Sequence, residues 1–345
     1  MNMRNWIVFS LLGVVLAPVG FIAIRNFLDQ QHYDRGTEAY EQGKCDVALS
    51  ELKPFLIKDS EGDDGEDQVA RAKAIEGECD LFKSISTEQQ QNKLDAALDA
   101  SAQFAQRYPS SPLMSQLRQT TVDLFRINSM GALAKPTSCQ QFELIQQHNL
   151  VPQMKIPQFY QACGRAFENN KNYAEAISIY ENFLDQFPKH ALTKNIKQAY
   201  AQTLYAQAQS KGAGTIPSPA SIGSTGDGST VVEIRNDSPE KMRIVFGGPT
   251  PRVEELPPCS DCKTYIEKPP KACPGKGPVG SYTVEPGRYR VVVKSIGGHT
   301  VIPYTGDWGM SRNTLYSHCF YIVESPLGSP PPSSSSLPTS RPKLR

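Results

Sequence analysis

The chain has almost no net charge: 36 Lys and Arg stand against 35 Asp and Glu, leaving +1. That balance removes the electrostatic ground for nucleic-acid binding, which needs a cationic face. Histidine is scarce, with five in 345 residues. His32, His148 and His190 have no second ligand at i+3 or i+4, so they read as exposed polar residues at turns or ends. Gly-rich phosphate loops, nucleophile elbows and paired catalytic carboxylates are also missing. These absences point away from an enzyme and away from any cofactor.

Charge is absent again between Arg4 and Arg25. The run 5–24 is about 20 residues, enough to cross a hydrocarbon core of about 30 Å as a helix. The rival reading is a cleaved signal peptide. Its exit would need paired small residues, and Leu16-Ala17-Pro18 and Ile22-Ala23-Ile24 are poor ones. The expectation is therefore an uncleaved signal anchor at 5–24, a single transmembrane helix. No cysteine precedes Cys45, which excludes a lipid-modified one near this segment. The flanking charges are nearly balanced, but the cysteine count favours an oxidising space for the body of the chain. The body is expected outside the cytoplasm, in a periplasm or cell envelope.

The organising stretch is 157–190. Tyr160, Cys163, Gly164 and Phe167 share one face at i, i+3, i+4, i+7 spacing. Asn169, Asn170, Lys171 and Asn172 break the run. A second helix then places Tyr173, Ala176, Ile177, Tyr180, Phe183, Leu184 and Phe187 at helical spacing, and Pro188 stops it. This 34-residue pattern resembles a tetratricopeptide repeat. Tyr160, Gly164 and Phe167 fill the first-helix places, and Tyr173, Ala176, Tyr180 and Pro188 the later ones. Phe183 departs, since alanine is usual there. Small residues in such a unit let two helices touch, while aromatics fill the groove between neighbouring pairs. The resemblance implies a scaffold that holds a protein or peptide partner on the concave face of a stack. It makes the first-helix side chains Tyr160, Arg165 and Asn169 the candidate partner contacts.

Weaker copies surround that unit. In 27–56, Gly36, Ala39, Tyr40, Cys45, Ala48, Leu52 and Phe55 take roughly the same places. The acidic stretch 59–67 lacks the Gly and Glu spacing of a calcium loop and reads as solvated. Helices are expected over 69–82, 94–108, 112–127 and 139–150, with a long connection at 83–92. A last helix over 192–209 reads as the polar-backed cap of the stack. The α-solenoid so defined covers 27–209.

Residues 210–230 are Gly, Ser, Pro and Thr almost throughout and read as a flexible linker. From Val231 the period changes to two. Residues 231–246 and 281–295 each read as a β-hairpin, with further strands at 301–304 and 316–323. The expected fold class is thus α then β: transmembrane helix, helical repeats, linker, and a small β-sandwich-like domain over 231–325. The tail 326–345 reads as disordered.

The β-domain holds Cys259, Cys262, Cys273 and Cys319. Cys259-Ser-Asp-Cys262 has zinc-ligand spacing, but Cys273 and Cys319 do not repeat it. A redox C-x-x-C belongs at a helix start, and this one lies in a Pro-rich loop. Two disulfides are the favoured reading, with Cys259 and Cys262 joined to Cys273 and Cys319 in some order. In the helical part, Cys45 with Cys79 and Cys139 with Cys163 are the nearest pairs; buried free thiols are the alternative. Tyr304, Trp308, Tyr316 and Phe320 lie close together along the chain. An exposed Trp308 would favour stacking on sugar rings, and a buried one a sandwich core. Two functions follow as expectations. The first is a membrane-anchored extracytoplasmic scaffold for protein partners in envelope assembly. The alternative is a cell-surface carbohydrate- or wall-binding module.

Overall fold

The computed structural model describes residues 27–57, 66–296 and 303–324, with helices first and sheets second. The expected transmembrane helix at 5–24 is not among the described elements. Among the described residues no helix is long and apolar enough to cross a membrane. The 25-residue Glu66–Gln90 has the length but is charged in almost every turn. The stretch 5–24, most of the acidic loop and the tail 326–345 lie outside the described residues. The chain divides into two compact units, one through Phe159 and one from Tyr160.

The first unit is helical. It contains α1 (27–41), α2 (Cys45–Leu56), α3 (Glu66–Gln90), α4 (Leu94–Arg107), α5 (Met114–Ile127), α6 (Met130–Leu133), α7 (Pro136–Gln140) and α8 (Phe142–Gln147). Helix α9 (Ile156–Asn169) carries the chain into the second unit, where α10 (Tyr173–Gln186) and α11 (Thr193–Ser210) follow. The long connection expected at 83–92 is instead helix as far as Gln90. The segment 84–90 has neither Gly nor Pro, and burial of Ile85 at 1% exposure rewards the extra turns.

Three helix hairpins share one local design: α1–α2, α3–α4 and α9–α10. Each turn has a single left-handed residue, Gly43 (φ 74°), Asn92 (φ 59°) or Lys171 (φ 58°). The next residue caps the second helix with nearly the same backbone each time: Lys44 at −97°/68°, Lys93 at −93°/70° and Asn172 at −85°/69°. Each cap N–H reaches back to the first helix, to the carbonyls of Ala39, Glu88 and Phe167. Past the turn, Ala48, Ala97 and Ala176 fall at one shared offset and Phe55, Phe104 and Phe183 at another, all buried. Small alanines admit the partner helix and phenylalanines fill the space beyond.

The close contact inside each hairpin is conserved in size but not in identity. A Cβ on Gly164 would collide with the edge of the Tyr180 ring, 2.1 Å from Cε1 and 2.4 Å from Cζ, and one on Gly36 would collide with the Leu52 side chain. At the same offsets in the middle hairpin the sizes are exchanged: Ile85 stands opposite Ser101, both buried. The first two hairpins are also clasped together. The Cys45–Cys79 disulfide joins α2 to α3 with Cα atoms 5.4 Å apart. The Tyr40 hydroxyl donates to the buried Glu78 carboxylate, tying α1 to α3. Burial, reinforced by Glu78, pushes the Tyr40 phenol up to about 12.

The second unit adds two sheets to α10 and α11. Its strands are β1 (Gly214–Thr215), β2 (Ala220–Gly223), β3 (Thr230–Asn236), β4 (Lys241–Gly247), β5 (Arg252–Leu256), β6 (Tyr265–Ile266), β7 (Val279–Val284), β8 (Gly287–Ile296), β9 (Tyr304–Met310), β10 (Thr314–Phe320) and β11 (Val323–Glu324). One sheet runs β1-β9-β8-β4-β5 and the other β2-β10-β3-β7, with β6 and β11 as a small pair. Val232 and Ile234 from the second sheet meet Ile244, Phe246, Val291, Val293 and Trp308 from the first in one core.

Neither expected hairpin forms. β3 and β4 lie in different sheets, as do β7 and β8. The turns 237–240 and 285–286 are corners that carry the chain from one layer to the other. Alternation gives the inward face of each strand but not the partner it bonds to. The stretch 210–230, expected as a free linker, also enters the sheets: β1 pairs in parallel with β9, and β2 antiparallel with β10. Ile216 from this stretch is buried in the β-core at 5% exposure, and its N–H donates to the Thr305 carbonyl, so one apolar residue and edge pairing anchor a segment that is otherwise polar.

Helix α11 is not a solvent-backed cap. It lies on the outer face of the first sheet, where Gly247 leaves room for Ala201. Tyr205 reaches Asp307 at 3.0 Å and Gln209 reaches Thr305 at 2.7 Å. This second cover explains why Val245 and Val292 are buried together with their alternating neighbours.

Candidate functional site

Of the three side chains expected to touch a partner, Tyr160 is 1% exposed. Its ring packs edge-on against Phe183 and Phe187 at 6.0 and 5.9 Å. It is a core residue, because the aromatic that anchors the helix pair faces inward. Arg165 and Asn169 lie on the opposite side of α9 and are exposed. Beneath them Glu168 accepts from Thr203 of α11. Burial first, and then Glu168, pushes the Tyr180 phenol upward.

A polar junction that sequence reading missed joins this helix pair to the first sheet. Arg243 on β4 donates to Glu181 on α10 at 2.8 Å and to Glu255 on β5 at 2.7 Å. Tyr200 on α11 donates to the same Glu181 carboxylate at 2.7 Å. Burial, then Glu181, holds the Tyr200 hydroxyl protonated well above its ordinary range. These four residues are separated widely in the chain and no local pattern marks them.

The four β-unit cysteines converge on one buried turn, Asn236–Asp237–Ser238. Asn236 donates through Nδ2 to the carbonyls of Glu240 and Pro257, each at 2.8 Å, and accepts from Ser238. Asp237 accepts the backbone N–H groups of Gly275, Lys276 and Gly277. Cys273 and Cys319 are bonded to each other beside that carboxylate, pinning the 270–278 loop to β10. Cys259 and Cys262 are bonded to each other, and the Cys259 N–H donates to the Ser238 carbonyl. The expected cross-pairing between the two sets is therefore replaced by two separate bonds. The loop after β5 turns back on itself at Ser260-Asp261, which brings Cys259 and Cys262 together with Cα atoms 5.3 Å apart. All eight cysteines of the chain are in disulfides. That chemistry fits an oxidising setting, as found outside the cytoplasm.

Trp308 is 1% exposed and packs against Phe246 at 6.1 Å. It lies in the sandwich core, on β9, and offers no face to a sugar. His318 on β10 sits 5.5 Å from the Trp308 ring and 4.7 Å from Phe320. Burial there lowers its pKa from 6.5 to about 4. An unfolded chain takes up that proton as pH falls through about 6.5, before the folded one does. The stability from neutral His318 is complete above that pH and is lost on descent towards 4. A loss of about 1–3 kcal/mol between pH 7 and 4.5 is expected, discounted for the part of the ring still wet. Thermal melts at both pH values, compared with His318→Gln, measure it; parallel pH profiles for the two proteins would refute it.

No protein-family model matches the chain, and no curated protein matches it either. The functional reading accordingly rests on the chain's own residues.

Proposed function

We propose that this protein is an extracytoplasmic helical-repeat scaffold, of tetratricopeptide type, that holds a protein or peptide partner and acts in envelope assembly. The observation that carries this reading is the threefold recurrence of one hairpin. The left-handed turn residue, the cap backbone, the buried alanine and the buried phenylalanine recur at fixed offsets in α1–α2, α3–α4 and α9–α10. Recurring hairpins are scaffold parts, and their first-helix side chains supply binding surface. Arg165 and Asn169 are the exposed members of that set on α9. Burial of Trp308 weighs against the carbohydrate reading. The disulfides support a site of action in an oxidising space.

The test places a photo-crosslinking residue at 165, 169 or, as a control, 182, in full-length protein within intact cells. Discrete protein adducts are expected from 165 and 169 and not from 182. Arg165→Glu should weaken capture at 169 by about tenfold, the effect of losing roughly 1.4 kcal/mol at an interface. Equal labelling at all three positions would defeat the proposal, as would glycan binding that survives removal of both side chains.

A further inference from the structure

We propose that the cleft between α11 and the strand corners at 249–251 and 285 binds a carboxylate carried by a peptide, either its C-terminus or a Glu or Asp side chain. The cleft holds about 290 Å³. Lys194 and Lys197 of α11 form one wall, and Pro249, Thr250, Pro251 and Glu285 form the other. That volume lies at the lower end of ligand sites, which run from about 300 to 1,000 Å³, and suits one or two residues of a peptide. The second wall is fixed before any ligand arrives. The hydroxyl of the buried Tyr289 accepts the Thr250 N–H at 3.1 Å and donates to the Glu285 carbonyl at 2.9 Å. Thr250 Oγ1 accepts the Glu285 N–H at 3.1 Å. Pro249 sits where a Cβ on Gly287 would come 2.7 Å from its Cγ, so the two corners are packed against each other. Walls held in this way lose little freedom on binding.

The charges identify the ligand. Among the described residues, the side chains of Lys194, Lys197 and Glu285 make no ion pair or hydrogen bond, although all three border one cleft. Two ammonium groups against one carboxylate leave the cleft at +1. A monoanion balances that charge. A phosphate dianion would leave excess negative charge facing Glu285. Lysines act as point charges with rotatable donors, so a carboxylate meets them without the planar fork an arginine would impose. The Thr250 hydroxyl accepts from Glu285, which leaves its hydrogen to donate to the same ligand. The rings of Pro249 and Pro251 give apolar contact to the stem that bears the carboxylate. The site uses neither Arg165 nor Asn169, and so is independent of the binding proposed above for α9.

Isothermal titration calorimetry of the full-length protein gives the test, with three peptides as probes: acetyl-Ala-Ala-Ala with a free carboxylate, the same peptide as its C-terminal amide, and acetyl-Ala-Glu-Ala amide. Binding of the first or the third is expected, with the amide silent. The tighter of the two tells a terminal carboxylate from a side-chain one. Lys194→Gln and Lys197→Gln should each weaken binding by about fivefold, and Lys268→Gln, on an exposed loop outside the cleft, should leave it unchanged. Glu285→Gln should tighten binding by about threefold and admit inorganic phosphate, which the native protein rejects. A gain at 285 beside losses at 194 and 197 separates contact with the ligand from loss of structure. No binding of any probe, or equal binding of acid and amide, would overturn the proposal. So would an equal loss in Lys268→Gln, a weakened Glu285→Gln, or native protein that takes phosphate as tightly as the carboxylates.

Discussion

Replacing Asp237 by alanine is expected to destabilise the second unit by about 2–4 kcal/mol, as one buried and two surface backbone donors lose a charged acceptor at once. The carboxylate is fully buried and accepts N–H groups at 2.9, 2.8 and 2.6 Å from Gly275, Lys276 and Gly277. Gly277 is buried against the Asn236 carbonyl, whereas Gly275 and Lys276 lie at the surface on a loop tied to β10 by Cys273–Cys319. Asp237→Asn retains one acceptor oxygen and should recover about half of the loss. Urea unfolding followed by tryptophan fluorescence reports the change, since Trp308 lies in the same core. A loss below about 1 kcal/mol for the alanine variant would show that the loop finds other acceptors.

The second large effect concerns the hairpin contact. Gly164→Ala should destabilise, although helix propensity alone favours alanine by about 1 kcal/mol. The added Cβ would clash with the Cε1–Cζ edge of the Tyr180 ring, and overpacking of this kind costs about 1–3 kcal/mol before any benefit. Gly164→Ile should cost about 3 kcal/mol, and Tyr180→Ser a comparable amount through the cavity it leaves. Combined, they reproduce the Ile85–Ser101 arrangement of the middle hairpin, and at least half of the summed loss should be regained. A double-mutant cycle by denaturant unfolding measures that coupling. Simple additivity would mean that the hairpins match in backbone but not in packing.

The hairpins are legible because their design is local: Gly164, Ala176 and Pro188 act within one pair of helices joined by a short turn. Cys45–Cys79 was readable for the same reason, as adjacent helices bring nearby cysteines together. What could not be read was decided at a distance. Glu181, Tyr200, Arg243 and Glu255 form one junction from four elements, and none carries a periodic signal. The strand partners of β3 and β7 depend on which layer each turn delivers the chain to, which alternation does not encode. Tyr160 shares the first helix with Arg165 and Asn169, but its aromatic bulk is claimed by burial before any partner. One signal was present and undervalued: Val291, Val292 and Val293 form an unbroken apolar run in β8, the mark of a strand covered on both sides.

That covering sets the smallest transferable piece of this protein. Residues 214–324 cut away from α11 would present Val245 and Val292 to water, together with Asp307 and Thr305 stripped of their helix donors. Such a fragment would gather with itself through the bared sheet face. A fusion or graft that keeps this sandwich soluble must therefore carry its last two helices along.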